Sequence, residues 1–167
     1  MVRSFIAVNL TKELKTKIAN DISCIKYLKG IKWISPENLH ITLKFLGDIS
    51  VEDINGIKQI LSDIASKTQP FEISLNRIGC FPNIKHPNVV WIGINDNGRL
   101  SDIFRDIDYR LSEIDIKKDD RSFSPHLTIG RIKDNIKIYN LKAEIERFEG
   151  FTFGSNIIDT ISLMRGC

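Results

Sequence analysis

The sequence predicts a mixed fold of strands and helices, α/β or α+β, built as one unit of two similar lobes. Three observations carry this. Segments that alternate with period two take turns with segments whose apolar residues recur every three or four positions. Two strand-like segments, His40-Ile41-Thr42-Leu43 and His126-Leu127-Thr128-Ile129, repeat one pattern 86 positions apart, which reads as an internal pseudo-repeat. The 167 residues are 42% hydrophobic and 27% charged, and no linker or low-complexity tract divides them, so 1–167 is expected to be a single domain.

The elements follow in order. Residues 3–9 alternate loosely and predict a strand. Over 11–28, Leu14, Ile18, Ile22, Ile25 and Leu28 lie on one helical stripe, with Thr11 as N-cap and Gly30 as stop. Pro36 and Asn38 make a turn before a strand over 39–46. Ser50 and Asp53 form a capping signal for a helix with Val51, Ile54, Ile57, Leu61 and Ile64 on one face. Residues 71–77 alternate cleanly, and a Gly/Pro/Asn-rich loop is expected over 79–88. Val89 to Ile92 reads as a buried strand, and Leu100, Ile103, Phe104, Ile107, Leu111 and Ile114 define a third helix. Lys117 to Arg121 is expected to be a solvated charged loop. Pro125 introduces the second His-x-Thr strand, a weaker helix follows around 139–148, and residues 156–164 predict a last strand.

The composition narrows the function. A formal charge of +3 is too small to mark a nucleic-acid binder by itself, but it suits a small anionic substrate or an RNA end. No run approaches the ~18 consecutive apolar residues of a membrane span, and the amino-terminal segment lacks the apolar core of a signal peptide. Cys24, Cys80 and Cys167 are odd in number and widely spaced, as expected of a reduced cytoplasmic protein.

In a strand, His40 and Thr42 share one face, as do His126 and Thr128, while the apolar pair takes the other. Two of the chain's three histidines are used this way. An imidazole titrates near 6.5, so one ring can take a proton from an attacking water while the other gives one to a leaving oxygen. The threonine hydroxyls can hydrogen-bond non-bridging phosphate oxygens, and an arginine can add a charge-assisted fork. This is a site for phosphate chemistry. A lone strand histidine is commonly structural, and a strand threonine commonly reflects β-propensity; the matched pair argues otherwise. Arg131, five positions after His126, would face away from it in a regular strand and needs a bulge to turn inward. Phe45, five after His40, occupies the mirrored place and can stack on a base or pack. His86 is expected on the surface, and Trp33 and Trp91 in the core or the cleft wall. Zinc wants three or four ligands, and neither histidine has a carboxylate or cysteine at strand spacing, so a metal site is not expected.

These residues resemble the two-histidine (2H) phosphoesterase superfamily, and within it the RNA 2′,3′-cyclic phosphodiesterases, also described as 2′-5′ RNA ligases. RSFIAVNL is similar to the opening strand of that family, WISPENLHITLKFLGDI to its first motif block, GCFPN with VVWIGI to its middle block, and FSPHLTIGRI to its second motif block. Asn88 departs from it, since members often carry an arginine just before the Val-x-Trp segment. The resemblance implies an α+β fold of two pseudo-symmetric lobes, each an antiparallel sheet with outer helices, around a central cleft. It implies metal-independent hydrolysis of an RNA or nucleoside 2′,3′-cyclic phosphate to the 2′-phosphate, with no cofactor. His40 and His126 would be the catalytic pair, His40 as acid toward the 3′-oxygen and His126 as base, or the reverse. Thr42, Thr128 and Arg131 would bind phosphate. The implied partners are RNA with a cyclic phosphate end or a cyclic nucleotide, and tRNA halves for ligation in the same site. A monomeric cytoplasmic protein away from membranes is expected. A non-catalytic RNA-end binder is the alternative of a different class, and two intact proton carriers argue against it.

Overall fold

The computed structural model describes residues 1–133 and 137–166, so Cys167 lies outside the described residues. Among the described residues, eight strands and four α-helices follow one another as β1 (Val2–Asn9), α1 (Lys12–Asp21), β2 (Ile31–Trp33), β3 (His40–Ile49), α2 (Val51–Lys67), β4 (Phe71–Phe81), β5 (Val89–Asn95), α3 (Arg99–Ser112), β6 (His126–Ile132), α4 (Leu141–Arg147), β7 (Thr152–Ile158) and β8 (Ser162–Arg165). The strands form two sheets, ordered β3-β1-β8 and β2-β6-β5-β4-β7. Every pairing among them is antiparallel, which makes the fold α+β. No helix among the described residues is long and apolar enough to cross a membrane.

The helices sit where their caps and apolar faces put them. Thr11 accepts from the Leu14 amide, and Ser50 and Asp53 complete a capping box at α2. In α3, Leu100, Ile103, Phe104, Ile107 and Leu111 are all buried, each contributing about 1.5–3 kcal/mol of transfer free energy. Apolar residues of both sheets and all four helices join one continuous core cluster.

Three boundaries and one buried face differ from the expectations. The first helix ends at Asp21, and a 3₁₀ turn over Ser23–Ile25 carries the chain on. Leu14, Ile18, Ile22, Ile25 and Leu28 are nonetheless all buried, because an irregular segment can serve the same apolar stripe. In α2, Val51 is exposed and Ile60 takes its place in the core. Residues 79–81 belong to β4, where Gly79 lets the Trp91 ring lie against the backbone; a Cβ there would come within 2.3 Å of the ring. The predicted strand over 156–164 is two strands. β7 pairs with β4 in the larger sheet, and after Asp159, Thr160 and Ile161 the chain crosses to pair β8 with β1 in the smaller one.

Candidate active site

β3 and β6 belong to different sheets but lie against each other, so each sheet presents one His-x-Thr strand to the space between them. That space is a cleft of about 1520 Å³, lined by His40, Thr42, Phe45, His126, Thr128 and Arg131 among others. His86, Trp33 and Trp91 are not among its lining residues. Both tryptophans instead pack against strand glycines, Trp33 on Gly130 and Trp91 on Gly79, which corrects the cleft-wall alternative.

The two histidines are held in the same way. His40 Nδ1 lies 2.6 Å from the Asn38 carbonyl oxygen, and His126 Nδ1 lies 2.8 Å from the Ser124 carbonyl oxygen. A carbonyl only accepts, so Nδ1 carries the hydrogen in both rings, and Nε2 is left for a ligand. Among the described residues neither Nε2 has a hydrogen-bond partner. Each ring also rests on a phenylalanine, with Phe5 stacked on His40 at 4.9 Å and Phe81 edge-on to His126 at 4.9 Å.

Burial pushes the His40 imidazole below its ordinary value of 6.5, and its bond to Asn38 opposes this only in part. The positive charges of Lys15 and Arg131 push it the same way as burial, so the guanidinium acts on the cleft across from its own strand.

A bulge answers the parity problem of Arg131. Val90 pairs with Gly130 while Trp91 pairs with Thr128, leaving Ile129 as one extra residue in β6. The insertion shifts the pleat by one position, and Arg131 joins the cleft lining with His126. β3 does the same. Ile6 pairs with Lys44 and Ala7 with Thr42, so Leu43 is the extra residue and Phe45 reaches the cleft.

Further cleft residues had weaker marks in the sequence. Phe5 and Phe81 lie in segments that look like ordinary strand and loop. The charged stretch Lys117–Arg121 is exposed, as expected, but it also lines the cleft. Asn88 lines it as well, and its backbone bridges Phe81 and Ile132. Lys44 had one legible sign, a charge inside an otherwise apolar run, and it proves to be buried.

Comparisons with known proteins bear on the family and the fold. The profile of the family described as LigT like Phosphoesterase matches residues 8–91, which include the first motif. A Methanocaldococcus jannaschii protein named RNA 2′,3′-cyclic phosphodiesterase is 43% identical over 155 residues, covering 92% of this chain and 84% of that protein. One of the same name from Methanothermobacter thermautotrophicus is 33% identical, covering 98% of this chain and 89% of its own. Among solved structures, TT0787 of Thermus thermophilus superposes with a TM-score of 0.78 at 23% identity, covering 96% of this chain and 86% of that one. The E. coli LigT complex with 3′-AMP gives 0.73 at 23% identity, covering 99% and 88%. These two show the shared fold, and the sequence relatives show the lineage: this chain belongs to the LigT-like phosphoesterases.

Proposed function

We propose that this protein hydrolyses the 2′,3′-cyclic phosphate end of RNA, or of a nucleotide, to the 2′-phosphate. The observation that carries the reading is the pair of imidazoles on one cleft, each with Nδ1 tied to a backbone carbonyl and Nε2 free for a ligand. The naming of the 43%-identical relative supports it.

In the proposed reaction, water attacks phosphorus and His126 Nε2 takes its proton. The bond from phosphorus to O3′ breaks, and His40 Nε2 gives O3′ a proton, leaving a 3′-hydroxyl and a 2′-phosphate. The two rings then return to their starting states by exchange with solvent. Thr42, Thr128 and Arg131 hold the non-bridging oxygens, whose charge grows as the water adds. Phe45 offers its face to the base. His40 must be protonated to act as the acid. Burial disfavours that form in the free enzyme, and the anionic phosphate restores it on binding.

The test is turnover of a nucleoside 2′,3′-cyclic phosphate in excess EDTA, with the 2′- and 3′-phosphates resolved. Formation of 2′-phosphate that collapses in both His40→Ala and His126→Ala supports the reading. A folded protein that turns over neither this nor an RNA with the same end overturns it. With a 5′-hydroxyl RNA as nucleophile in place of water, as between tRNA halves, the same proton transfers yield a 2′-5′ linkage, and product analysis separates the two outcomes.

A further inference from the structure

Lys44 is 2% exposed on the strand that carries His40. A buried ammonium is costly unless it is fully paired. Here it donates to Asp108 Oδ1 of α3 at 2.7 Å and to the Lys117 carbonyl at 3.0 Å, and Asp119 Oδ2 lies 3.5 Å away. Asp108 also accepts from the Asp119 amide at 3.1 Å. The network thus ties one exposed segment, Lys117–Asp119, both to β3 and to α3. That segment continues through Arg121 along the cleft. Lys117 is occupied by Asp120 at 3.0 Å, and Lys118 rests over the Tyr109 ring at 5.0 Å. Among the described residues, neither Lys118 nor Arg121 has a carboxylate in ion-pair range.

The size of the cleft bears on what this wall can hold. The cleft, at about 1520 Å³, exceeds the roughly 300–1,000 Å³ that encloses a small ligand, so it has room beyond one nucleotide.

We propose that Lys44 is a positioning residue that holds Lys117–Arg121 as a cationic wall of the cleft, and that this wall grips backbone phosphate of the RNA chain upstream of its cyclic end. The inference rests on the proposed reaction for the chain end but concerns how the rest of the chain is held. It makes an oligonucleotide a better substrate than a mononucleotide.

Lys118→Ala combined with Arg121→Ala removes the two cations of the wall and leaves the Lys44 network whole, so it tests the wall even if Lys44→Met fails to fold. Steady-state kinetics would compare a nucleoside 2′,3′-cyclic phosphate with a short RNA ending in the same group. The expected result for this double variant is a KM for the RNA raised about fivefold, with its kcat and both constants for the nucleotide unmoved. Lys44→Arg should keep the wild-type split. Fluorescence anisotropy with an RNA ending in 2′-phosphate reads the same wall without turnover, and Arg121→Ala should lower the log–log salt slope of that binding by about 0.7. Equal losses on both substrates, or no loss on the RNA, overturn the wall. Wild type that binds the RNA through this segment but turns over neither substrate overturns the reaction instead.

Discussion

β3 and β6 run the same course for seven residues. From His40 to Leu46 and from His126 to Ile132 the burial sequence is identical, residue for residue. Both insert their extra residue at the fourth position, and both fix the imidazole through the carbonyl two residues back. They part at the next two places, Lys44 and Phe45 against Gly130 and Arg131. The neighbours explain the first difference. β6 is covered by β2, and a Cβ on Gly130 would come within 2.7 Å of Ile31 and 3.2 Å of Trp33. β3 is the edge of its sheet, so a long side chain fits and reaches α3. The second difference matters for chemistry. A symmetric cleft has no means of telling O2′ from O3′. In the proposed reaction, the aromatic face at Phe45 and the guanidinium at Arg131 would break the symmetry and give the substrate one way round.

The strongest way to break the comparison is at the rings. Either His40→Ala or His126→Ala should lower kcat/KM by about 10²–10⁴-fold in the EDTA assay. Replacing the 3′-bridging oxygen of the substrate by sulfur, a leaving group that needs no acid, should restore His40→Ala and leave His126→Ala inactive. Equal restoration would mean the two halves do not divide the work in this way.

A smaller effect is expected at the sixth position. Arg131→Ala should lower kcat/KM by about 10–100-fold, the range of a charge-assisted hydrogen bond to phosphate. Phe45→Ala should act mainly on KM, by about fivefold, since the ring is 67% exposed and offers one stacking face. If the two losses match in size and kind, Phe45 and Arg131 are not specialised. At the fifth position, Gly130→Ala should cost ~1–3 kcal/mol in denaturant unfolding through overpacking against β2.

The smallest effect is a pH dependence carried by His40. His40 titrates below 6.5 in the folded protein because burial disfavours its charge. The unfolded chain therefore binds more protons in that window, so stability is full above 6.5 and declines as pH falls toward the folded value. Unfolding between about pH 5 and 8 should show this decline, and His40→Gln should remove its share.

Much of this was legible in the sequence, and the failures have physical reasons. Period-two alternation located His40, Thr42, His126 and Thr128 on strands because the pleat is a local property. The capping box at Ser50 and Asp53 was legible for the same reason. The break between β7 and β8 was not, since alternation records which face a residue takes and not which sheet it joins. The 11–28 stripe recorded burial, while the helix ended on hydrogen bonding. The parity of Arg131 turned on one unpaired residue, Ile129, whose bulge depends on the partner strand. The Lys44 network joins residues far apart in the chain, so only the folded structure brings them together.

The carbonyls behind the two histidines have a consequence for how such sites change over time. Every amino acid supplies a main-chain oxygen, and here Asn38 and Ser124 perform one task with unrelated side chains. The third member of each constellation is therefore written in no particular letter. Substitution at 38 or 124 leaves the acceptor in place, and a search for an accompanying acidic residue, of the kind that marks a serine-protease triad, would find nothing to align. Ring orientation here is inherited through the path of the chain, and drift in the flanking letters can proceed without disturbing it.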